Sequence, residues 1–145
     1  MAGVPKAAAI RTVIIAGRIG LGAAMMVSPT RATRLYLGDD AARPGLRYYV
    51  RIAGGREIAL AVAQRTAGRQ RALRRRAFLL GSLFDLWDGV DAMLTRGLSP
   101  TARLIAATTS LTWALLGVAA AQLDPDADAA IRSFTNGRGH RGCGG

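Results

Sequence analysis

Leu104 to Leu123 is a run of twenty residues without a single charge. At about 1.5 Å per residue, a helix of that length covers roughly the 30 Å hydrocarbon core of a bilayer. The buried helix of a water-soluble domain rarely continues so far without a polar face. The run therefore predicts a transmembrane helix and sets the frame for the rest of the chain. Three other apolar stretches have comparable length but carry charges. One covers residues 7–27 and stops at Ser28–Pro29. The next covers 46–64, after a Pro44–Gly45 turn, and the third covers 77–94, after Arg74–Arg75–Arg76. Ser99–Pro100 precedes the uncharged run. Proline and glycine thus fall where helices stop and start, and no period-two alternation suggests a strand. The expectation is an all-α chain, a four-helix transmembrane bundle over residues 1–123 followed by a disordered tail. That tail, 124–145, is rich in Asp and Gly and has too little apolar surface to bury.

Bulk composition decides little, because half the 145 residues are hydrophobic and mean hydropathy is +0.20, close to an average soluble domain. Charge is more informative. The net charge is +11, and Lys6 is the only lysine beside nineteen arginines. With so much Ala and Gly, this reads as the codon bias of a GC-rich bacterial genome. A pI near 11.6 suits nucleic-acid binding, anionic lipid, or cytoplasmic loops that obey the positive-inside rule. Cys143 is the single cysteine, which excludes an intramolecular disulfide and a cysteine-based zinc site. Lys6 and Arg11 precede an apolar run as in a signal peptide. Arg18 interrupts that run, however, and residues 25–29 lack a small-x-small cleavage pattern, so the segment reads as a retained first helix.

With four spans, eleven of the twenty basic residues fall on the side of the N-terminus, second loop and tail, against six on the other. The bias predicts a multi-pass protein of the cytoplasmic (inner) membrane with both termini in the cytoplasm. The second loop holds Arg69, Arg71, Arg74, Arg75 and Arg76, and each such residue is worth about 1 kcal/mol near an anionic lipid surface. These residues read first as a topology determinant, with lipid head-group contact as its consequence.

Seven charges lie inside the predicted spans: Arg18 in the first, Arg51, Arg56 and Glu57 in the second, and Asp85, Asp88 and Asp91 in the third. One charge at the centre of a lone span costs about 2.5–3.5 kcal/mol on insertion scales, so partners are required. The signs nearly balance and the depths match across antiparallel helices. The expected network sets Arg51 against Asp91 and sets Arg56 and Arg18 against Asp85 and Asp88, with Glu57 on the remaining arginine. Read structurally, such a network neutralises buried charge and chooses which helices pack. Read functionally, a surplus carboxylate carries a proton or cation. Near-balance favours the structural reading.

Other signals carry less. Gly17–Arg18–Ile19–Gly20–Leu21–Gly22 lacks the order of a dinucleotide fingerprint and has no preceding strand. Like Gly54–Gly55, Gly81 and Gly89, it suits close helix packing. Asp85, Asp88 and Asp91 have the spacing of oxygen ligands for a divalent cation. The longer aspartate signature of Mg²⁺-dependent phosphoalcohol transferases, with its fixed glycine and arginine positions, is absent. Trp87, Trp113, Tyr48 and Tyr49 read as packing or interfacial residues, and His140 lies alone in the tail. Ser82, Ser110, Thr108, Thr109 and Thr112 read as helix hydroxyls bonded to backbone carbonyls. No nucleophile has a base in view, so neither a catalytic residue nor a cofactor or metal is expected.

Arg51–Ile52–Ala53–Gly54–Gly55–Arg56–Glu57–Ile58–Ala59–Leu60 resembles a pattern in small bacterial four-helix membrane proteins, domains of unknown function distantly similar to the DoxX-like group. Gly20–Leu21–Gly22 through Ser28–Pro29 is similar to their first helix and its proline stop. Asp85 and Asp88 resemble the acidic pair of their third helix. The resemblance covers residues 10–122 and implies a four-helix membrane bundle with no particular activity. The leading expectation is thus an accessory or structural membrane protein, not an enzyme, in contact with membrane lipids and not nucleic acid. A homo-oligomer or a membrane-protein partner stays open. One alternative is a small proton- or cation-coupled transporter using Asp85 and Asp88. Another is a soluble basic helical protein that binds nucleic acid through phosphate contacts.

Overall fold

A computed structural model describes residues 4–68 and 70–122. Among these residues the chain is all-helical, with α1 (Val4–Val27), α2 (Pro29–Leu37), a 3-10 helix (Gly38–Ala42), α3 (Pro44–Thr66), α4 (Arg71–Leu94) and α5 (Pro100–Gln122). The predicted disordered tail, 124–145, lies outside the described residues.

Two features differ from expectation. Residues 28–45 are not a plain connection, because they form α2 and the 3-10 helix, giving five α-helices where four were expected. Pro29 is the cause. It ends α1 by lacking an N–H, yet it occupies the first turn of α2, where that missing donor costs nothing and its fixed φ suits a helix. Thr33 then donates from Oγ1 to the Pro29 carbonyl at 2.8 Å. Pro29 and Thr33 are buried while Arg31, Arg34 and Leu35 face outward. The second difference is the start of α4. It begins at Arg71 and not at Ala77, so Arg71, Arg74, Arg75 and Arg76 ride on its first two turns rather than on a loop. Arginine is a good helix former, and nothing between residues 71 and 76 breaks a helix. The real connection is short, with Gly68 at a φ of +48°, a conformation that favours glycine.

The long helices pack most extensively as two pairs, α1 with α3 and α4 with α5, joined by thinner α1–α5 and α3–α4 contacts. Glycines permit the pairing. A Cβ built on Gly22 would meet the Gly54 carbonyl oxygen at 2.7 Å, and one on Gly54 would meet the Gly22 oxygen at the same distance. At that point the α1 and α3 backbones touch, as small residues on packed helices allow. Gly117 of α5 similarly faces the Ser82 hydroxyl of α4, and Gly17 of α1 faces the Trp113 ring of α5. A small apolar cluster of Ile14, Phe78, Ala120 and Ala121 closes the end where α1, α4 and α5 meet.

Two helices are long and apolar enough to cross a membrane: α1 over Ala8–Val27, with mean hydropathy 1.6, and α5 over Pro100–Gln122, with 1.7. α3 and α4 match them in length, at 23 and 24 residues, but their charges lower the average.

Candidate functional site: a buried arginine–carboxylate network

Three helices supply the centre of the structure. Arg18 projects from α1, Arg56 and Glu57 from α3, and Asp85 and Asp88 from α4, one turn apart. Arg18 forks, donating from Nη1 to Glu57 Oε2 and from Nη2 to Asp85 Oδ2 at 2.5 Å. Arg56 grips Asp88 with two parallel bonds, Nη1 to Oδ1 at 3.0 Å and Nη2 to Oδ2 at 2.5 Å. It also donates to Glu57 Oε1 from Nη2 at 3.0 Å. Glu57 therefore spends one oxygen on each arginine and links the pairs into a chain, Asp85–Arg18–Glu57–Arg56–Asp88. The guanidiniums of Arg18 and Arg56 suit this sharing, because a planar fork presents several N–H donors to carboxylates at once. The Arg56 guanidinium also lies over the Phe84 ring, 5.4 Å from its centroid, within cation–π range.

Burial is graded along the chain. Arg18, Glu57 and Asp85 are buried, with Arg18 4% exposed, whereas the Arg56 and Asp88 side chains are 30% and 39% exposed. Gly81 makes the inner end possible. A Cβ there would stand 3.0 Å from Arg18 Nη2 and 2.7 Å from the Gln64 amide nitrogen.

Five of the seven charges expected inside the spans meet in this chain. Arg51 and Asp91 do not, which corrects the pairing expected between them. Both are exposed. The side chain of Arg51 donates from Nε to the Met26 carbonyl at 3.3 Å, and the Asp91 carboxylate takes no bond among the described residues. Helical phase is the reason. At about 100° per residue, Arg51 stands roughly 140° around α3 from Arg56, and Asp91 roughly 120° around α4 from Asp85. The three aspartates thus do not converge as ligands, and the described residues contain no cluster of three or more His, Cys, Asp or Glu side chains able to hold a metal. Of the arginines expected at lipid head groups, Arg71, Arg74, Arg75 and Arg76 lie along the start of α4, and Arg69 lies outside the described residues.

Sequence reasoning missed the cavity beside the network. About 260 Å³ of space is lined by all five network residues, by Thr33 and Tyr36 of α2, and by Trp113 of α5. No sequence signal marked α2 as a wall. Gln64 was missed as well. It is buried at 3% exposure, yet neither its amide oxygen nor its nitrogen has a hydrogen-bond partner among the described residues.

Chemically, the network can hold three helices together and can present two carboxylates, Asp85 and Asp88, to a small cavity. It has two guanidiniums against three carboxylates, a formal surplus of one negative charge. Comparison with protein-family models finds no match, and no curated protein or solved structure matches the chain.

Proposed function

We propose that the chain is a four-span integral membrane protein of accessory or structural role, crossing with α1, α3, α4 and α5. In this reading both termini are cytoplasmic and the Arg–carboxylate chain lies within the bilayer, as in the small four-helix, DoxX-like membrane proteins that its sequence resembles. One observation carries the reading: polarity is inverted across the fold. α4 turns Leu80, Leu83, Leu86, Trp87, Met93 and Leu94 outward while it buries Ser82 and Asp85. Similar outward rows of large apolar side chains run along α1, α3 and α5, among them Val13, Ile19, Ile52, Val62, Leu104, Leu111 and Leu115. A water-soluble monomer rarely exposes a contiguous apolar patch beyond a few hundred Å², and it does not reserve its centre for ion pairs. Low burial of the two most apolar helices agrees, since only 17% of the α1 window and 22% of the α5 window is buried. Lipid supplies the missing apolar contact. The mid-helix charges of α3 and α4, Arg56, Glu57, Asp85 and Asp88, are then paired within the fold and not left alone in lipid.

The cavity favours a second reading, a small proton- or cation-coupled transporter in which Asp85 and Asp88 face the translocated species. The surplus carboxylate and the cavity wall are what it rests on. Asp88→Asn separates the two. Under the structural reading it removes one charged partner of Arg56 in a partly exposed pair, and membrane-inserted, folded protein falls by a few-fold. That corresponds to about 1 kcal/mol, the upper end for an exposed ion pair and less than the roughly 1.5–3 kcal/mol of a buried bond to a charged group. Folded protein would be compared by detergent extraction and size-exclusion chromatography, with ion flux measured in proteoliposomes. Unchanged folding with altered cation or proton flux would favour transport over a structural role.

A further inference from the structure

The charge chain leaves its cavity one-sided. Arg56 commits Nε and both Nη atoms to Glu57 and Asp88. Arg18 commits both Nη atoms to Glu57 and Asp85, and its Nε is buried. The carboxylates are less fully used. Asp85 accepts from Arg18 at Oδ2, while its Oδ1 takes no hydrogen bond among the described residues. Unlike Arg18 Nε, that oxygen retains accessible surface, and Asp85 lines the cavity. With two guanidiniums against three carboxylates, the cavity therefore offers a surplus negative charge and an open acceptor. Its walls are mainly apolar, with Leu21 and Met25 of α1 and the rings of Tyr36 and Trp113 from α2 and α5. Hydroxyls complete them. Thr108 and Thr112 spend theirs on carbonyls one turn back, but Thr109 and Ser110, which line the cavity, make no such bond among the described residues.

We propose that this cavity binds a small organic cation, a protonated amine with an apolar or aromatic body. The ammonium donates to Asp85 Oδ1, with the Thr109 and Ser110 hydroxyls as further acceptors. The body lies against Tyr36 and Trp113, whose ring faces attract a cation. An ammonium donates and never accepts, which suits a site whose own donors are already spent. A metal ion suits it poorly. Hard divalent cations take about six oxygens or more, and the described residues contain no group of three or more acidic, His or Cys side chains placed to hold one. The volume of about 260 Å³ lies just below the roughly 300–1,000 Å³ of pockets for drug-sized ligands, so the amine is small. The site shares its cavity with the transport reading, yet it requires neither transport nor a bilayer.

The test uses the full chain in a neutral detergent, carrying Trp87→Phe so that Trp113 remains the only one of two tryptophans. Trp87 is exposed on the outer face of α4, so its loss leaves the cavity intact. The probes are benzylamine, which is protonated at neutral pH, neutral benzyl alcohol, benzoate, and sodium and potassium chloride at matched ionic strength. Benzylamine alone should produce a saturable change in Trp113 fluorescence and a rise in the unfolding midpoint. Asp85→Asn should weaken its apparent affinity at least about tenfold, the scale of one lost charge-assisted bond. That variant also loosens Arg18, so a second one leaves the charge chain untouched. Ala106→Leu adds volume to the cavity from α5, and it should abolish the benzylamine response without lowering the midpoint of the unliganded protein. The site is overturned if benzylamine does no more than the salts, or if benzyl alcohol, benzoate, sodium or potassium does as much. It is also overturned if Ala106→Leu binds as the parent does or melts well below it, since the space would then lie elsewhere or be filled. Benzylamine binding without flux in proteoliposomes supports the site and removes only the transport reading. Proton or metal-cation flux without benzylamine binding overturns the site and leaves transport standing.

Discussion

Arg18→Met should nearly abolish recovery of folded protein, the largest effect expected of any single substitution in the described residues. Among the described residues, Arg18 is the sole contribution of α1 to the charge chain and the only cationic partner of Asp85. Removing it leaves the Asp85 carboxylate, 9% exposed, without an opposing charge, and it takes one of the two arginines from Glu57. Breaking a buried pair by deleting one partner costs about 3–5 kcal/mol, a large share of a typical domain's total stability. Arg18→Lys should recover only part of the loss, because a single ammonium lacks the fork that reaches two carboxylates on two helices. The double variant Arg18→Met, Asp85→Leu should recover more than Arg18→Lys does. It removes the stranded charge and leaves Glu57 on Arg56, and well-packed apolar replacements of buried pairs are often neutral or better. Yield of monodisperse protein and its thermal midpoint in detergent measure the series. An Arg18→Met variant that melts like the parent would show that the network is incidental to the fold.

Gly54→Ala and Gly55→Ala, neighbours on α3, should differ sharply. The added methyl at Gly54 would stand 2.7 Å from the Gly22 carbonyl oxygen and 2.9 Å from Met25 Cβ. Neither obstacle is the free end of a flexible side chain, so α1 and α3 must separate. Overpacking of this kind costs about 1–3 kcal/mol, and more for a larger residue such as leucine. At Gly55 nothing lies within 4 Å of the added methyl, and alanine there should be neutral or gain up to about 1 kcal/mol from helix propensity. Thermal unfolding of the two variants is sufficient. Equal midpoints would mean that the α1–α3 contact is looser than the structure has it.

These two sites also mark what can be read from sequence. The all-helical character was legible because the apolar stretches are long, unalternated and bounded by Pro and Gly. Glycine pairs could be recognised as packing residues, but not which glycine meets which. Gly54 and Gly55 are equivalent in sequence and differ only in the face that α3 turns to α1. The charges show the same boundary. Matching depth on antiparallel helices places Arg18 and Arg56 level with Asp85 and Asp88, and the structure joins them. Depth alone also set Arg51 against Asp91, where helical phase turns both outward. α2 was illegible for a different reason: Ser28–Pro29 reads equally as the stop of one helix and the start of the next, and only tertiary packing of Thr33 decides for both. Gln64 carries no mark at all in sequence, since a glutamine near a helix end is ordinarily solvated. Its burial follows from the approach of Gly81 on α4.

Fractionation of membranes from cells expressing the full chain bears most directly on the inverted polarity of the fold. Membranes would be washed with alkaline carbonate and with high salt before detergent is added. If the outward rows on α1, α3, α4 and α5 face lipid, the chain stays in the pellet through both washes and leaves it only with detergent. Release by salt or carbonate would contradict the membrane-spanning reading. The exposed apolar faces would then have to be covered by another protein or a second copy, and the net charge of +11 would be a surface for anionic partners.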